Sequence, residues 1–368
     1  MKAERMSKSH YLMIGGFLGA GKTTAILKLA RHLTNAGKRV GLITNDQSVG
    51  LVDSAVLNHG EFAVEEITGG CFCCRFNSLI EASDRLSLST RPDVFIAEPV
   101  GSCTDLVAAV SFPLQKIYGD DFRVAPLSVL VDPVRAERVL GLAGGNSFSP
   151  KVLYVYGKQL EEAEIIVINK CDLLDEARQD RLEAALHNAY PKAEIVRISA
   201  REDMGIEAWL ERITSVESQA ESAPDVDYQI YAEGEALLGW LNASVRISTA
   251  TEVDGNELLR GLAANTRAAL GDVEIAHLKM TLVPDEDMGD IGVLNLVRTD
   301  GTAELSHALK SPLSSGELLL NLRAEADPEL LRQSILDALA ACGCEVEMKH
   351  MEYFRPGKPE PTYRMAHR

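Results

Sequence analysis

At 368 residues, 46% hydrophobic and 25% charged, the chain is too long for one core and too apolar for disorder, so two globular domains are expected. Its 54 acidic residues against 37 basic ones give a formal charge of -17, and with no basic patch to offset it, neither nucleic acid nor membrane is expected as a partner. No run approaches the ~18 apolar residues of a membrane span, and Met1-Lys2-Ala3-Glu4-Arg5 lacks the apolar core of a secretion signal, so a cytoplasmic location is expected.

Residues 1–215 alternate β-rich apolar runs with amphipathic stretches, which predicts an α/β domain: a parallel sheet flanked by helices. Strands are expected at 12–14, 40–44, 94–97, 127–131, 165–168 and 195–198. The first is followed by Gly16-Phe17-Leu18-Gly19-Ala20-Gly21-Lys22-Thr23-Thr24, the phosphate-loop pattern of a P-loop NTPase. Glycines let backbone N–H groups turn toward phosphate, and a helix opening at Lys22 adds the positive end of its dipole. Lys22 should then reach the β- and γ-phosphates, and the Thr23 hydroxyl should ligate Mg²⁺. On the helix, Ile26, Leu29, Ala30 and Leu33 form one apolar stripe that Gly37 terminates.

Two acids fall at strand ends, where parallel sheets place ligands. Glu98, in Glu98-Pro99-Val100-Gly101, is a candidate for the magnesium water shell or the attacking water, and Asp46, in Thr44-Asn45-Asp46, occupies the same edge. Asn169-Lys170-Cys171-Asp172 follows the apolar run 165–168, so the Asp172 carboxylate can pair with N1–H and the 2-amino group of guanine. Adenine offers no such pair. Ser199-Ala200 could supply a backbone N–H to guanine O6, and the nucleotide expected is GTP.

Cys71-Phe72-Cys73-Cys74 lies between these segments. Thiolates this close suit a soft or borderline ion, with a fourth ligand from a neighbour or a client, whereas a disulfide framework is sterically awkward. Buried small hydrophobes are the alternative. Cys103 is a further candidate ligand. Cys171 reads as filler, Cys342-Gly343-Cys344 as a helix-to-strand turn, and His59 as a surface residue.

Residues 216–227 are small and polar and read as a linker. Beyond them, over 228–354, strands are expected at 237–247, 273–283, 291–297 and 345–353, helices at 256–270 and 328–340, and an extra short strand at 317–322. That order predicts a smaller ferredoxin-like α+β domain. Residues 355–368 form a tail with too many prolines for either element.

Through its phosphate loop, Gly69-Gly70-Cys71-Phe72-Cys73-Cys74, Glu98-Pro99-Val100-Gly101 and Asn169-Lys170-Cys171-Asp172, the sequence resembles the CobW/HypB/UreG family of P-loop GTPases, most of all its CobW branch. The resemblance implies a metallochaperone whose Cys71, Cys73 and Cys74 carry a transition metal, Zn²⁺ or Co²⁺, to a client metalloprotein or cofactor enzyme under control of GTP hydrolysis. A GTP-dependent activator of a corrinoid- or metal-dependent enzyme, or a metal sensor, is the alternative; a homodimer is left open. The chain departs from the branch where Asn45-Asp46-Gln47-Ser48 replaces the usual Asn-Glu-Phe-Gly, and it lacks the His-rich stretch many members carry.

Overall fold

The computed structural model describes residues 8–45, 62–287 and 289–367; Asp46 and His59 lie outside the described residues. Strands β1 (Ser9–Gly16), β2 (Val40–Asn45), β3 (Ala63–Ile67), β4 (Val94–Glu98), β5 (Phe122–Val124), β6 (Ser128–Val131), β7 (Ile165–Ile168) and β8 (Glu194–Arg197) form one parallel sheet. Its order is β3-β2-β4-β1-β6-β7-β8, with β5 added beside β1. The central strands are apolar on both faces because both are covered. Along β1, Leu12 and Ile14 join one core with Ile26, Leu29 and Trp209, while Tyr11 and Met13 join the other with Phe76, Phe112 and Tyr156.

Edge strand β3 escapes the sequence reading because Glu65 and Glu66 interrupt its apolar pattern, as charged residues do where a sheet faces water. The helix Tyr228–Leu237 also escapes it. Its one local signal is Asp227, whose carboxylate accepts from the N–H groups of Gln229 at 2.8 Å and Ile230 at 3.1 Å. This helix lies on the helix Pro150–Glu161, so closely that a Cβ at Gly234 would meet the Lys151 carbonyl at 2.4 Å.

The second sheet is antiparallel, built from β9 (Gly239–Val253), β10 (Ile275–Pro284), β11 (Gly292–Leu296), β12 (Glu304–His307), β13 (Leu313–Ala324) and β14 (Glu345–Phe354) in the order β12-β11-β10-β13-β9-β14. The four strands β10-β13-β9-β14, with helices Gly255–Leu270 and Pro328–Ala340, give the ferredoxin-like arrangement. The extra piece, however, is the β11–β12 pair at the edge, not 317–322. That segment is the middle of β13, where Leu318, Leu320 and Leu322 alternate into the core.

The two sheets meet at the phosphate loop. A Cβ at Gly19 would lie 3.0 Å from Val297, just past β11, and Arg135 of the helix Pro133–Val139 donates to the carbonyls of Ile275 and Val297. Among the described residues no helix is long and apolar enough to cross a membrane.

Candidate functional site

The phosphate loop leaves the carboxyl end of β1, and its glycines are required by geometry. Gly16 has φ 134° and Gly21 φ 88°; a Cβ would strike the Leu130 carbonyl at 2.4 Å and the Asn169 side-chain nitrogen at 2.4 Å. Gly21 is the N-cap of the helix Lys22–Asn35 and brings no side-chain acceptor, so the first turn presents an anion site. Lys22 and Thr23 sit there, buried at 8% and 7% exposure. The Thr23 hydroxyl donates to the Glu98 carboxylate at 3.0 Å, which brings the end of β4 to the same point. A hydroxyl and a carboxylate are hard oxygen donors, a set that fits Mg²⁺.

Behind the loop, Asn169 ties two segments together: its amide donates to the Ala20 carbonyl at 2.8 Å and its oxygen accepts from the Ala200 N–H at 3.1 Å. Lys170, in the left-handed region at φ 54°, donates to the Gly19 carbonyl at 2.7 Å and the Asp132 carboxylate at 2.9 Å. Asp172 is exposed and lines the same cleft of ≈ 780 Å³ as Lys22, Thr24 and Glu98. Beside it, the Ala200 N–H donates to Asn169 and the Ser199 N–H to the Met204 carbonyl at 3.0 Å, and Ala200 lines the same cleft.

Asp132 went unread in the sequence. Completely buried, it accepts from Lys170, from Arg298 of the second sheet at 3.0 Å and from the Arg135 N–H at 3.0 Å. Burial alone would raise its pKa, but the Lys170 and Arg298 charges hold it well below the usual carboxylate range. Asp132 thereby pins the guanine loop to the neighbouring sheet. Its signal was its place at the end of a strand, directly before Pro133, a position that marks a helix cap.

The thiols of Cys71, Cys73 and Cys74 converge within 4.8 Å of one another, with sulfur separations of 2.8, 3.0 and 3.7 Å. Cys71 and Cys73 are buried and Cys74 is half-buried. The Cys71 thiol is held well below its ordinary pKa by hydrogen bonds from Cys103, Cys73 and Cys74, so it is the sulfur most readily available as thiolate. Cys74, bonded to Cys71, is pushed up to about 11. The loop hangs from Asn45 at the end of β2, whose amide donates to the carbonyls of Ile67 at 3.0 Å and Gly70 at 2.7 Å.

The proline-rich tail also reaches this loop, a contact with no local signal in the sequence. The Thr362 N–H donates to the Cys73 carbonyl at 2.8 Å, its hydroxyl to the Cys74 carbonyl at 3.0 Å, and the Glu360 N–H to the Cys74 sulfur at 3.3 Å. By contrast, Cys342 and Cys344 flank Gly343, at φ 76°, in the turn into β14 and pack against the second core. Among the described residues they join no metal-binding group.

Residues 10–197 match the family model described as "CobW/HypB/UreG, nucleotide-binding domain". The chain is similar to zinc-regulated GTPase metalloprotein activator 1 of Dictyostelium discoideum, 27% identical over 227 residues that are 54% of this chain and 47% of that protein. It is 37% identical to the zinc chaperone YeiR of Escherichia coli (strain K12) over 166 residues, 44% of this chain and 46% of that protein. The chain thus spans about half the length of these curated relatives. Among solved structures, the Zn(II)-bound YjiA GTPase from E. coli is 15% identical, with 90% of this chain and 99% of that one covered at a TM-score of 0.36.

Proposed function

Because the chain belongs to the CobW/HypB/UreG family, we propose that it is a GTP-hydrolysing metal carrier that holds a transition metal on Cys71, Cys73 and Cys74 and passes it to a client metalloprotein. The names of the two zinc-linked relatives favour zinc as cargo, and three thiolates also suit cobalt.

In this reading Gly16 to Thr24 cradle the phosphates, Lys22 neutralises charge on the β- and γ-groups, and Asp172 selects guanine. Mg²⁺, held through Thr23 and the Glu98 side, would supply charge neutralisation at the phosphates. Glu98 orients the water around that point, and Asp46 is proposed to act from the same edge. The cysteines hold the cargo, and Asn45 links the two halves. The observation that carries the proposal is this last contact: one side chain at the cleft edge holds the backbone on both sides of the thiol loop's first turn. A nucleotide that moves the end of β2 therefore moves the sulfurs.

Chelator competition with zinc-loaded protein tests the coupling. Metal affinity is expected to differ by about tenfold or more between GDP and a non-hydrolysable GTP analogue, a coupling within the usual 1–3 kcal/mol. Equal affinity in both states would remove it. Replacing Cys71, Cys73 and Cys74 by serine should abolish client activation; activation that survives would favour the activator that carries no metal.

A further inference from the structure

We infer that Lys279 of the second sheet is a phosphate-binding residue: the terminal phosphate of GTP sits between Lys22 of the phosphate loop and Lys279, so that the nucleotide is gripped by both domains. Such a grip presupposes the proposed reading of this cleft as the GTP site, and it adds a contact from the second domain that GDP cannot make.

Along β10, Leu278, Met280 and Leu282 are buried in the core that the second sheet shares with its two helices. Side chains alternate along a strand, so His277 and Lys279 take the other face, where both line the cleft that also holds Lys22, Thr23 and Glu98. Register carries this polarity across the sheet. Asn295 on β11 and Asn321 on β13 stand directly beside Lys279, and Arg323 on β13 stands beside His277; these three line the same cleft. In a chain of formal charge -17, cationic side chains gathered on the one sheet face that looks onto the phosphate loop make a local field suited to an anion.

The sheet is also held close to the phosphate loop. A Cβ at Gly19 would meet the Ala276 carbonyl at 3.1 Å, so the backbone one residue before His277 and three before Lys279 touches the loop that cradles phosphate. Ion pairs fix the same approach from the guanine side, Arg298 to Asp132 at 3.0 Å and Arg138 to Asp300 at 3.1 Å. Arg323 is the weaker choice for a phosphate ligand. Its guanidinium lies 4.0 Å over the Trp240 ring and donates to the carbonyls of Leu241 at 2.8 Å and Leu322 at 3.1 Å, which holds it along its own sheet. Lys279 is half-buried and carries its charge on a flexible four-carbon stem, so its ammonium can turn to a phosphate oxygen. A lysine that only braced the domain contact would do so whichever nucleotide was bound; one that binds the terminal phosphate acts in the GTP state alone.

Calorimetric titration of the full chain with GDP and with a non-hydrolysable GTP analogue, both with Mg²⁺, tests this difference. Lys279→Met, which keeps most of the aliphatic stem, is expected to lower affinity for the analogue by about tenfold or more, the loss of one charge-assisted hydrogen bond, and to leave GDP affinity within about twofold. Lys279→Arg, which restores the charge, is expected to regain most of what the methionine loses. Equal losses for the two nucleotides in both variants, or no loss for either, would overturn the role of Lys279 while leaving GTP in the cleft; a wild type that binds neither nucleotide would overturn both. The unaltered protein gives a second readout. Acylation of Lys279 by an amine-reactive reagent, followed by mass spectrometry, is expected to be slowed by the analogue and not by GDP, and equal labelling in the two states would overturn the inference.

Discussion

The guanine side and the thiol side of the first domain lie at opposite ends of one sheet and are built on opposite plans. On the guanine side, Asn169 and Lys170 bridge neighbouring loops through bonds of 2.7 to 3.1 Å, backed by the fully buried β7, so the base loop is fixed before any ligand arrives. On the thiol side, the Cys71 to Cys74 loop is assembled from distant pieces: Asn45 at one flank and Thr362 of the tail at the other. Recognition of a rigid base calls for the first plan. Release of a metal calls for the second, because a site made of separable parts can be opened by moving one of them.

The largest test of this contrast is Asp172→Ala. Removing the charged acceptor proposed to read the base is expected to cost about 1.5–3 kcal/mol, roughly 10–150-fold in GTP affinity. ATP affinity should stay the same, because adenine never used the carboxylate. Titration of both nucleotides by calorimetry would reveal it. Equal losses for both would mean that Asp172 shapes the cleft without reading the base, and the preorganised side would lose its specificity argument.

A smaller effect is expected from removing residues 359–368. The truncation deletes both Thr362 bonds and the N–H that Glu360 donates to the Cys74 sulfur at 3.3 Å. At about 1 kcal/mol for each net hydrogen bond, metal should pass to a chelator roughly fivefold to a hundredfold faster. Stopped-flow transfer from the zinc-loaded protein measures this, with GTP affinity as the control expected to hold. Unchanged transfer would make the tail a bystander and reduce the movable parts to Asn45.

The same contrast explains what could be read from the sequence. The phosphate loop, Asn169 to Asp172 and Cys71 to Cys74 are contiguous because each wraps one ligand with neighbouring residues, so their spacing carries the chemistry. Asp132 depends on Arg298, 166 positions away, and the thiol loop on Thr362, 288 positions away, and no local pattern encodes such pairs. The second sheet failed in a different manner. Residues 291–297 are as apolar as a central strand, while β13 opens on the polar Ser314 and Ser315, so hydrophobicity ranked the outlying β11 above the central β13. The bond from the Ala200 N–H to the Asn169 side chain is likewise a contact that sequence spacing does not reveal.

The smallest expected effect separates the two sides by pH. Glu162 lies buried beneath the Cys103 loop, accepting from the Thr104 hydroxyl and the Val107 N–H, each at 3.0 Å. Burial pushes its pKa up to about 8, and the charge of Asp105, itself paired with Arg364 and Tyr228, adds to the rise; the two donors only partly offset it. A carboxyl raised in this way binds its proton more tightly folded than unfolded, so its contribution is complete below the unfolded value of 4.5 and is lost as pH climbs through about 8. Asp132 on the guanine side runs the other way: with its pKa lowered by Lys170 and Arg298, its contribution is present at neutral pH and lost on acidification. Glu162→Gln keeps an acceptor for Val107 and a donor for Thr104 but cannot ionise. Denaturant unfolding between pH 5 and pH 8 should therefore show the wild type losing stability with rising pH, and the variant losing less by on the order of 1 kcal/mol or more. Parallel slopes would show that the Cys103 loop rests on a carboxylate that stays charged, and the thiol side would then share the electrostatics of the guanine side.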